Sequence, residues 1–198
     1  MSDKSSFDSE ASIDDESIEE DTKSLTEKDK DKAQSGLEKN DSIENLNLIN
    51  AISNTLNTIL ENNKKQKNYR DIIKKQSTMY FSANLIPGIT IKDYLIRIQN
   101  YSGMEKGTLI LSLILIDHMC KKSNIILTPY NIHRILFSSV LVSIKYNEDS
   151  YYDNNFYAQI AGIKANELQL LEYKFFELND FHVYVNDKEF EQYELYLS

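Results

Sequence analysis

Residues 131–180, NIHRILFSSVLVSIKYNEDSYYDNNFYAQIAGIKANELQLLEYKFFELND, decide the fold of this 198-residue chain. They read as three helices of different character joined by short polar turns. Thr128 followed by Pro129 predicts an N-cap and a proline at the first helical position, opening a helix that runs to about Tyr146. That helix is apolar nearly all round, through Ile132, Ile135, Leu136, Phe137, Val140, Leu141, Val142 and Ile144. Ser139 and Ser143, four residues apart, offer a strip of small side chains where a neighbouring helix can come close. After a Tyr- and Asn-rich turn, a short helix is predicted around residues 156–161. A longer one follows from about Asn166 to Leu178, with Leu168, Leu171, Phe175 and Leu178 on one stripe. The stretch holds no catalytic constellation, no metal-ligand spacing and no phosphate-cradling glycine loop.

Working outward, residues 106–122, KGTLILSLILIDHMCKK, form a second segment that is apolar on nearly every side and is therefore expected to be buried. Ser102 and Glu105 have the spacing of a capping box at its start. Before it, Ile91, Tyr94, Leu95, Ile98 and Tyr101 make one face of a helix that follows the turn signal Pro87–Gly88, with Arg97 at the rim. Two successive all-round apolar helices imply a helical core with the other helices packed around that pair. Further upstream, Leu48, Ile49, Ile52, Leu56, Ile59 and Leu60 give an amphipathic helix from Ile43 to about Asn62, and residues 63–77 are a connector or its continuation. Downstream, FHVYV (181–185) is too short and isolated to predict a strand. NDKEFEQYELYL (186–197) reads as a terminal helix. No internal repeat is visible.

Composition agrees with an all-α class. The chain has 41 % hydrophobic residues, no Trp, two Pro and five Gly, too few turn residues for a sandwich or barrel. Its single cysteine, Cys120, cannot form an intramolecular disulfide and suits a reducing compartment. The polar, acidic first residues carry no secretory signal, and the longest apolar run, broken by Asp117, is far below the roughly 20 residues of a membrane span. A soluble, intracellular protein of nucleus or cytoplasm, with no membrane partner, is expected. Of the net charge of −9, residues 1–40 hold −7, from 13 acidic and 6 basic side chains, leaving −2 for the other 158 residues. A near-neutral body argues against a general nucleic-acid surface. Residues 1–40 lack the apolar content to offset ordering entropy and are expected to be a disordered acidic tail. Ser5, Ser12, Ser17 and Ser24 each precede an acidic residue by three positions. The tail is thus read either as a solubilising segment or as a phosphorylated regulatory arm.

Four charged residues stand in otherwise apolar helical contexts: Arg97, Asp117, Lys145 and Glu172. A buried charge must pair within the fold or meet a partner. Spacing alone suggests Arg97 with Asp117. Lys145 in a last turn could simply complement the helix dipole, and Glu172 could be an ordinary solvated carboxylate. His118, His133 and His182 lack cysteine or carboxylate company at ligand spacing, so neither a metal nor another cofactor is expected. Cys120 has no base nearby in sequence and reads as a small core residue.

The phrases YLIRI (94–98), LIDHM (115–119), HRILFSSVLVSIKY (133–146), DSYYDNNFYAQIAGI (149–163) and NELQLLEYKFFEL (166–178) occur in the order and spacing of a cyclin box. They are closest to the P/U-type, Pho80-like cyclins, and the resemblance covers about residues 45–185. It implies an all-α cyclin-box fold: a five-helix bundle around a central buried helix, with an additional N-terminal amphipathic helix and a C-terminal helix. The expected division is tail 1–40, helix and connector 41–79, box 80–185 and terminal helix 186–198. The resemblance further implies a non-catalytic, activating subunit that forms a heterodimer with a cyclin-dependent Ser/Thr kinase. Arg97 and Asp117 match the family's internal salt bridge. Lys145 and Glu172 match charges that meet the kinase's regulatory helix and the backbone preceding it, and Tyr146, Tyr173, Phe176 and Phe181 match apolar contacts to the same partner. The chain departs from the wider family in lacking the MRAIL-type docking motif. His118 stands where Arg or Lys is usual, and Lys164 and Ala165 where a capping Ser or Thr is frequent. Two other readings follow from the same residues: an adaptor that activates no kinase, and a nucleic-acid-binding cyclin-fold transcription factor. The second would require two boxes and a basic face.

Overall fold

The computed structural model describes residues 39–76 and 79–198, so Ser5, Ser12, Ser17 and Ser24 lie outside the described residues. Eight helices occupy this range: α1 (Lys39–Lys64), α2 (Tyr69–Gln76), α3 (Ile91–Ser102), α4 (Lys106–Ser123), α5 (Ile132–Asn147), α6 (Asn154–Ala161), α7 (Ala165–Leu178) and α8 (Asp187–Leu197). No strand occurs among the described residues, and 182–186 run without regular structure.

Because α4 and α5 have no polar face wide enough for water, they pack on each other at the centre. Leu109, Ile110, Ile114 and Leu115 of α4, and Ile135, Leu136, Val140 and Leu141 of α5, are essentially inaccessible. The small-residue strip lets the two backbones approach: the Ser139 hydroxyl donates to the Ser112 carbonyl of α4 at 2.6 Å. Around this pair, α7 lies on α5 and α4, and α6 bridges α3, α5 and α7. The α1 helix runs along α3 and α4, burying Leu48, Ile49, Ile52, Leu56 and Leu60, while Ile59 sits at the edge of the stripe. The terminal helix α8 closes over α4 and touches α1. Phe175, wholly buried on α7, is the kind of side chain whose loss to alanine costs about 3–5 kcal/mol.

Several helix ends follow from local sequence. Thr90 caps α3 by accepting from the Asp93 amide at 3.0 Å, and Gly103, at φ +63°, ends it. Asp153 caps α6 by accepting from the Phe156 amide at 2.9 Å, and Gly162 at φ +71° terminates it. Asn186 likewise opens α8 through the Glu189 amide.

Two predicted starts are corrected. Ser102 closes α3 rather than capping α4, whose N-cap is Glu105 with no side-chain cap bond of its own. One amide at this end is satisfied from afar: the Glu148 carboxylate accepts from the Glu105 amide at 2.9 Å, and it also accepts from the Thr108 hydroxyl. Thr128 and Pro129 belong to a turn, and α5 begins only at Ile132 after Asn131. The Asn131 side chain ties that turn by accepting from the Thr128 amide at 2.8 Å and donating to the Ile126 carbonyl at 3.0 Å. The α7 helix opens at Ala165, one residue before the expected Asn166, from Lys164, which makes no cap bond.

Candidate functional site

The last turn of α5, the first turn of α6 and the middle of α7 converge at one place, and each delivers one polar side chain. Lys145 Nζ lies 2.6 Å from Glu172 Oε1, and the two side chains retain only 25 % and 15 % of their accessible surface. Asn154, the first residue of α6, completes the group. Its Oδ1 accepts from Lys145 Nζ at 2.7 Å, and its Nδ2 donates to Glu172 Oε2 at 3.0 Å. Lys145 therefore does more than complement a helix dipole, and Glu172 is not a freely solvated carboxylate. The sequence reading singled out both charges but missed Asn154. Its signal was present in the Asp–Asn pair of the α5–α6 turn, where the Asp caps and the Asn is left to point elsewhere.

Apolar rings lie on the same elements. Tyr146 follows Lys145 and is half exposed, as are Tyr173 on α7 and Phe181 just beyond it. Phe181 is held by its backbone. Asp180 and Phe181 both adopt φ of +56°, a conformation costing a non-glycine residue about 1–2 kcal/mol. The turn is secured by the Phe181 amide donating to the Phe176 carbonyl at 2.8 Å. Lys122 of α4 adds a hydrogen bond to the Asn179 carbonyl at 3.1 Å and an ion pair to Asp180 at 3.0 Å. As a result the Phe181 ring sits 6.0 Å from Tyr173 edge-on and 6.4 Å from the half-buried Phe176. Beside them, Lys174 lies over the rings of Tyr80 and Tyr173, at 4.7 Å and 5.5 Å, and pairs with Glu177 at 2.7 Å. Tyr80 and Lys174 were not foreseen. The loop carrying Tyr80 is far from α7 in sequence; it is brought near by the Ala83 amide bonding to the Tyr130 carbonyl and by Arg134, which donates to the Tyr80 carbonyl at 3.4 Å and pairs with Glu167 of α7 at 2.5 Å.

The predicted pairing of Arg97 with Asp117 is corrected. The α3 helix packs on α1 and α6, not chiefly on α4, so Arg97 faces the end of α6 and donates to the Gln159 carbonyl at 3.0 Å. Its Nε is buried without a hydrogen-bond partner. Asp117 instead points toward α8, where it pairs with Lys121 at 2.6 Å and accepts from the Tyr193 hydroxyl at 2.5 Å. Next to it, His118 contacts Glu189 of α8 at 2.7 Å, which gives the unusual histidine a local role as an α4–α8 tie.

The remaining candidates are structural. His133 Nε2 lies 3.0 Å from the Ile89 carbonyl, so that nitrogen carries the proton; the ring sits 5.2 Å from Tyr94. Burial holds its pKa below the usual histidine value, against the raising effect of the Ile89 carbonyl. Burial, reinforced by nearby Asp117, pushes the Cys120 thiol up to about 12, so it is no ready nucleophile. Among the described residues no group of three or more side chains is arranged to hold a metal ion, and no helix is long and apolar enough to cross a membrane.

Comparison with known proteins places these features in context. The family model "Cyclin" matches residues 20–183. The chain is 33 % identical over 138 residues to Cyclin-U4-3 of Arabidopsis thaliana, covering 67 % of this chain and 60 % of that protein. It is 30 % identical over 152 residues to Cyclin-U4-1 of the same plant, covering 76 % and 74 %. It is also 31 % identical over 121 residues to the PHO85 cyclin-like protein psl1 of Schizosaccharomyces pombe, covering 60 % and 50 %. The match thus spans 60 % of the first relative's own length and half of the fission-yeast one.

Proposed function

The chain belongs to the cyclin family, of the P/U type, and on that premise we propose that it is the regulatory subunit of a cyclin-dependent Ser/Thr kinase. The observation that carries the proposal is the Lys145–Glu172 pair, held at 2.6 Å and flanked by half-exposed Tyr146, Tyr173 and Phe181. In this reading the protein performs no chemistry. A kinase is active when its αC glutamate pairs with the lysine of strand β3, which requires αC to be held inward. A rigid helical body can hold it there by burying aromatic side chains around a few oriented polar groups. The α4–α5 core supplies the rigidity, α7 and the 179–181 turn supply the rings, and the charge pair fixes the register.

The chain should therefore travel as a heterodimer with a kinase catalytic subunit. The test is affinity purification of the full chain from its native cell, followed by phosphorylation of a histone-type substrate. Association with activation supports the reading. Association without activation favours an adaptor that keeps the cyclin fold. Equal recovery of a kinase by wild type and by the Lys145→Ala/Glu172→Ala double variant would overturn the assignment of this surface.

A further inference from the structure

We propose that Asn154 is a positioning residue of the kinase-docking surface: it fixes the Lys145–Glu172 pair in the one orientation a partner can use. This rests on the reading above, and it assigns a role to a side chain outside the charged and aromatic set. Lys145 and Glu172 stand on different helices, α5 and α7, and each has a flexible side chain. A single ion pair fixes the distance between two such groups but not their rotation about it. Asn154 contributes the missing contacts from a third helix. Its carbonyl oxygen takes one ammonium proton at 2.7 Å, and its amide nitrogen donates to the carboxylate oxygen that Lys145 leaves free, at 3.0 Å. The orientation of the amide follows from the chemistry: turned over, it would set an N–H against an ammonium and an oxygen against a carboxylate.

The closed ring also defines what is left for a partner. Of three ammonium protons, two are engaged, and each carboxylate oxygen keeps one unused lone pair. A partner thus meets one donor and two acceptors at set places in a group with no net charge. Asn154 can hold this geometry because its own backbone is anchored. It is the first residue of α6, directly after the Asp153 cap, whose carboxyl is kept below its ordinary pKa by the Phe156 amide. Alanine at 154 would keep the helix and the ion pair but free their rotation. Aspartate at 154 suits a helix N-terminus, yet it places a second carboxylate against Glu172. The charged groups around it would be Lys145 from α5, Glu172 from α7, Asp153 beside it and, on α3, Arg97 at the far end of α6.

The test measures affinity of the full-length chain for a recombinant, unphosphorylated cyclin-dependent kinase catalytic subunit, at pH 7.5 and pH 6, together with the Lys145 ammonium resonance of the free chain. Asn154→Ala is expected to bind about tenfold or more weakly at both pH values, the loss of hydrogen bonds to charged groups, and to lose the ammonium resonance to fast exchange. Asn154→Asp is expected to bind at least as weakly as Asn154→Ala, because it replaces the donor to Glu172 Oε2 with a second carboxylate. A purely structural role would leave the affinity of the folded chain unchanged in both variants. If Lys145→Ala weakens binding while both Asn154 variants bind like wild type at both pH values, the positioning role is wrong and the docking surface stands. If Lys145→Ala itself binds like wild type, the docking reading falls. Asn154 is then judged on the free chain alone, where a Lys145 ammonium signal unchanged in Asn154→Ala would overturn the inference.

Discussion

Breaking the Lys145–Glu172 pair from either side should destabilise the free chain unequally. Lys145→Ala leaves a carboxylate that is 15 % exposed, and Glu172→Ala leaves an ammonium that is 25 % exposed on a long, mobile stem. Two unit charges about 4 Å apart attract by about 4 kcal/mol at an effective dielectric of about 20, and desolvation with side-chain ordering offsets a large part of that. Fully exposed pairs contribute about 0–1 kcal/mol, and removing one partner of a buried pair costs about 3–5 kcal/mol, so this intermediate site should fall between them. We expect about 2–3 kcal/mol for Lys145→Ala, since the more buried partner is stranded, and about 1–2 kcal/mol for Glu172→Ala, whose lysine can extend to water. The double variant should cost less than the sum, with a coupling of about 1–2 kcal/mol. Urea denaturation of the wild type, both single variants and the double variant measures all four corners of the cycle. Additive losses would mean the two charges do not act as a unit. The docking surface would then lose the rigid polar centre on which its reading depends.

The small-residue strip on α5 should split in sign. Ser139→Ala forfeits the bond to Ser112 and should cost about 1 kcal/mol, whereas Ser143, whose buried hydroxyl has no partner, should gain by a similar amount on replacement with alanine; thermal melts moving in the same direction would refute this. His133 is held neutral by burial, so its folded pKa lies below its unfolded value. Its contribution is complete above the unfolded pKa and falls as pH drops through about 6.5 toward the folded pKa, where the unfolded chain binds the extra proton. A His133→Gln variant should lose less stability than wild type between pH 7 and 5, and parallel pH–melting curves would exclude the effect. Arg97 and Asp117 share no partner here. Alanine substitutions at the two should therefore add within about 0.5 kcal/mol in a denaturation cycle, and a larger coupling would restore the pairing that spacing suggested.

How far the sequence could be read depended on whether a signal was local. The all-round apolar character of α4 and α5 left them no place but the centre, and the stripe on α1 left it no choice but to dock on a neighbour. These are properties of a single segment. The capping of α4 is not: Ser102 and Glu105 have the right spacing, but the carboxylate that accepts from the Glu105 amide belongs to Glu148, 43 residues away. The same limit applies to Arg97 and Asp117. Each was read as a charge in need of company, but the neighbours were set by the α3–α6 and α4–α8 contacts, which no spacing rule reveals. In the site itself, Lys145 and Glu172 stood out because a charge among apolar residues is visible in one dimension. Asn154, a polar residue in a polar turn, was not visible in that way.

On the docking reading, this surface faces opposing demands before a partner arrives. Open aromatic area invites self-association, and unpaired charges at a site about to be desolvated would raise the cost of docking. Here the two demands are met by internal pairing. The ammonium and carboxylate neutralise each other, with Asn154 closing the ring. Phe181 folds back on Tyr173 and Phe176, and Lys174 lies over two tyrosine rings. That arrangement has its own cost, because Asp180 and Phe181 must adopt left-handed backbone conformations to bring the ring home. The Lys122 contacts from α4 to Asn179 and Asp180 offset part of it, and they tie the turn directly to one of the two central helices. Strain held at the rim by bonds to the centre is hard to explain as packing alone, since Phe181 remains more than half exposed after it. It is explained if the ring's position, rather than its burial in the free chain, is what the turn exists to set.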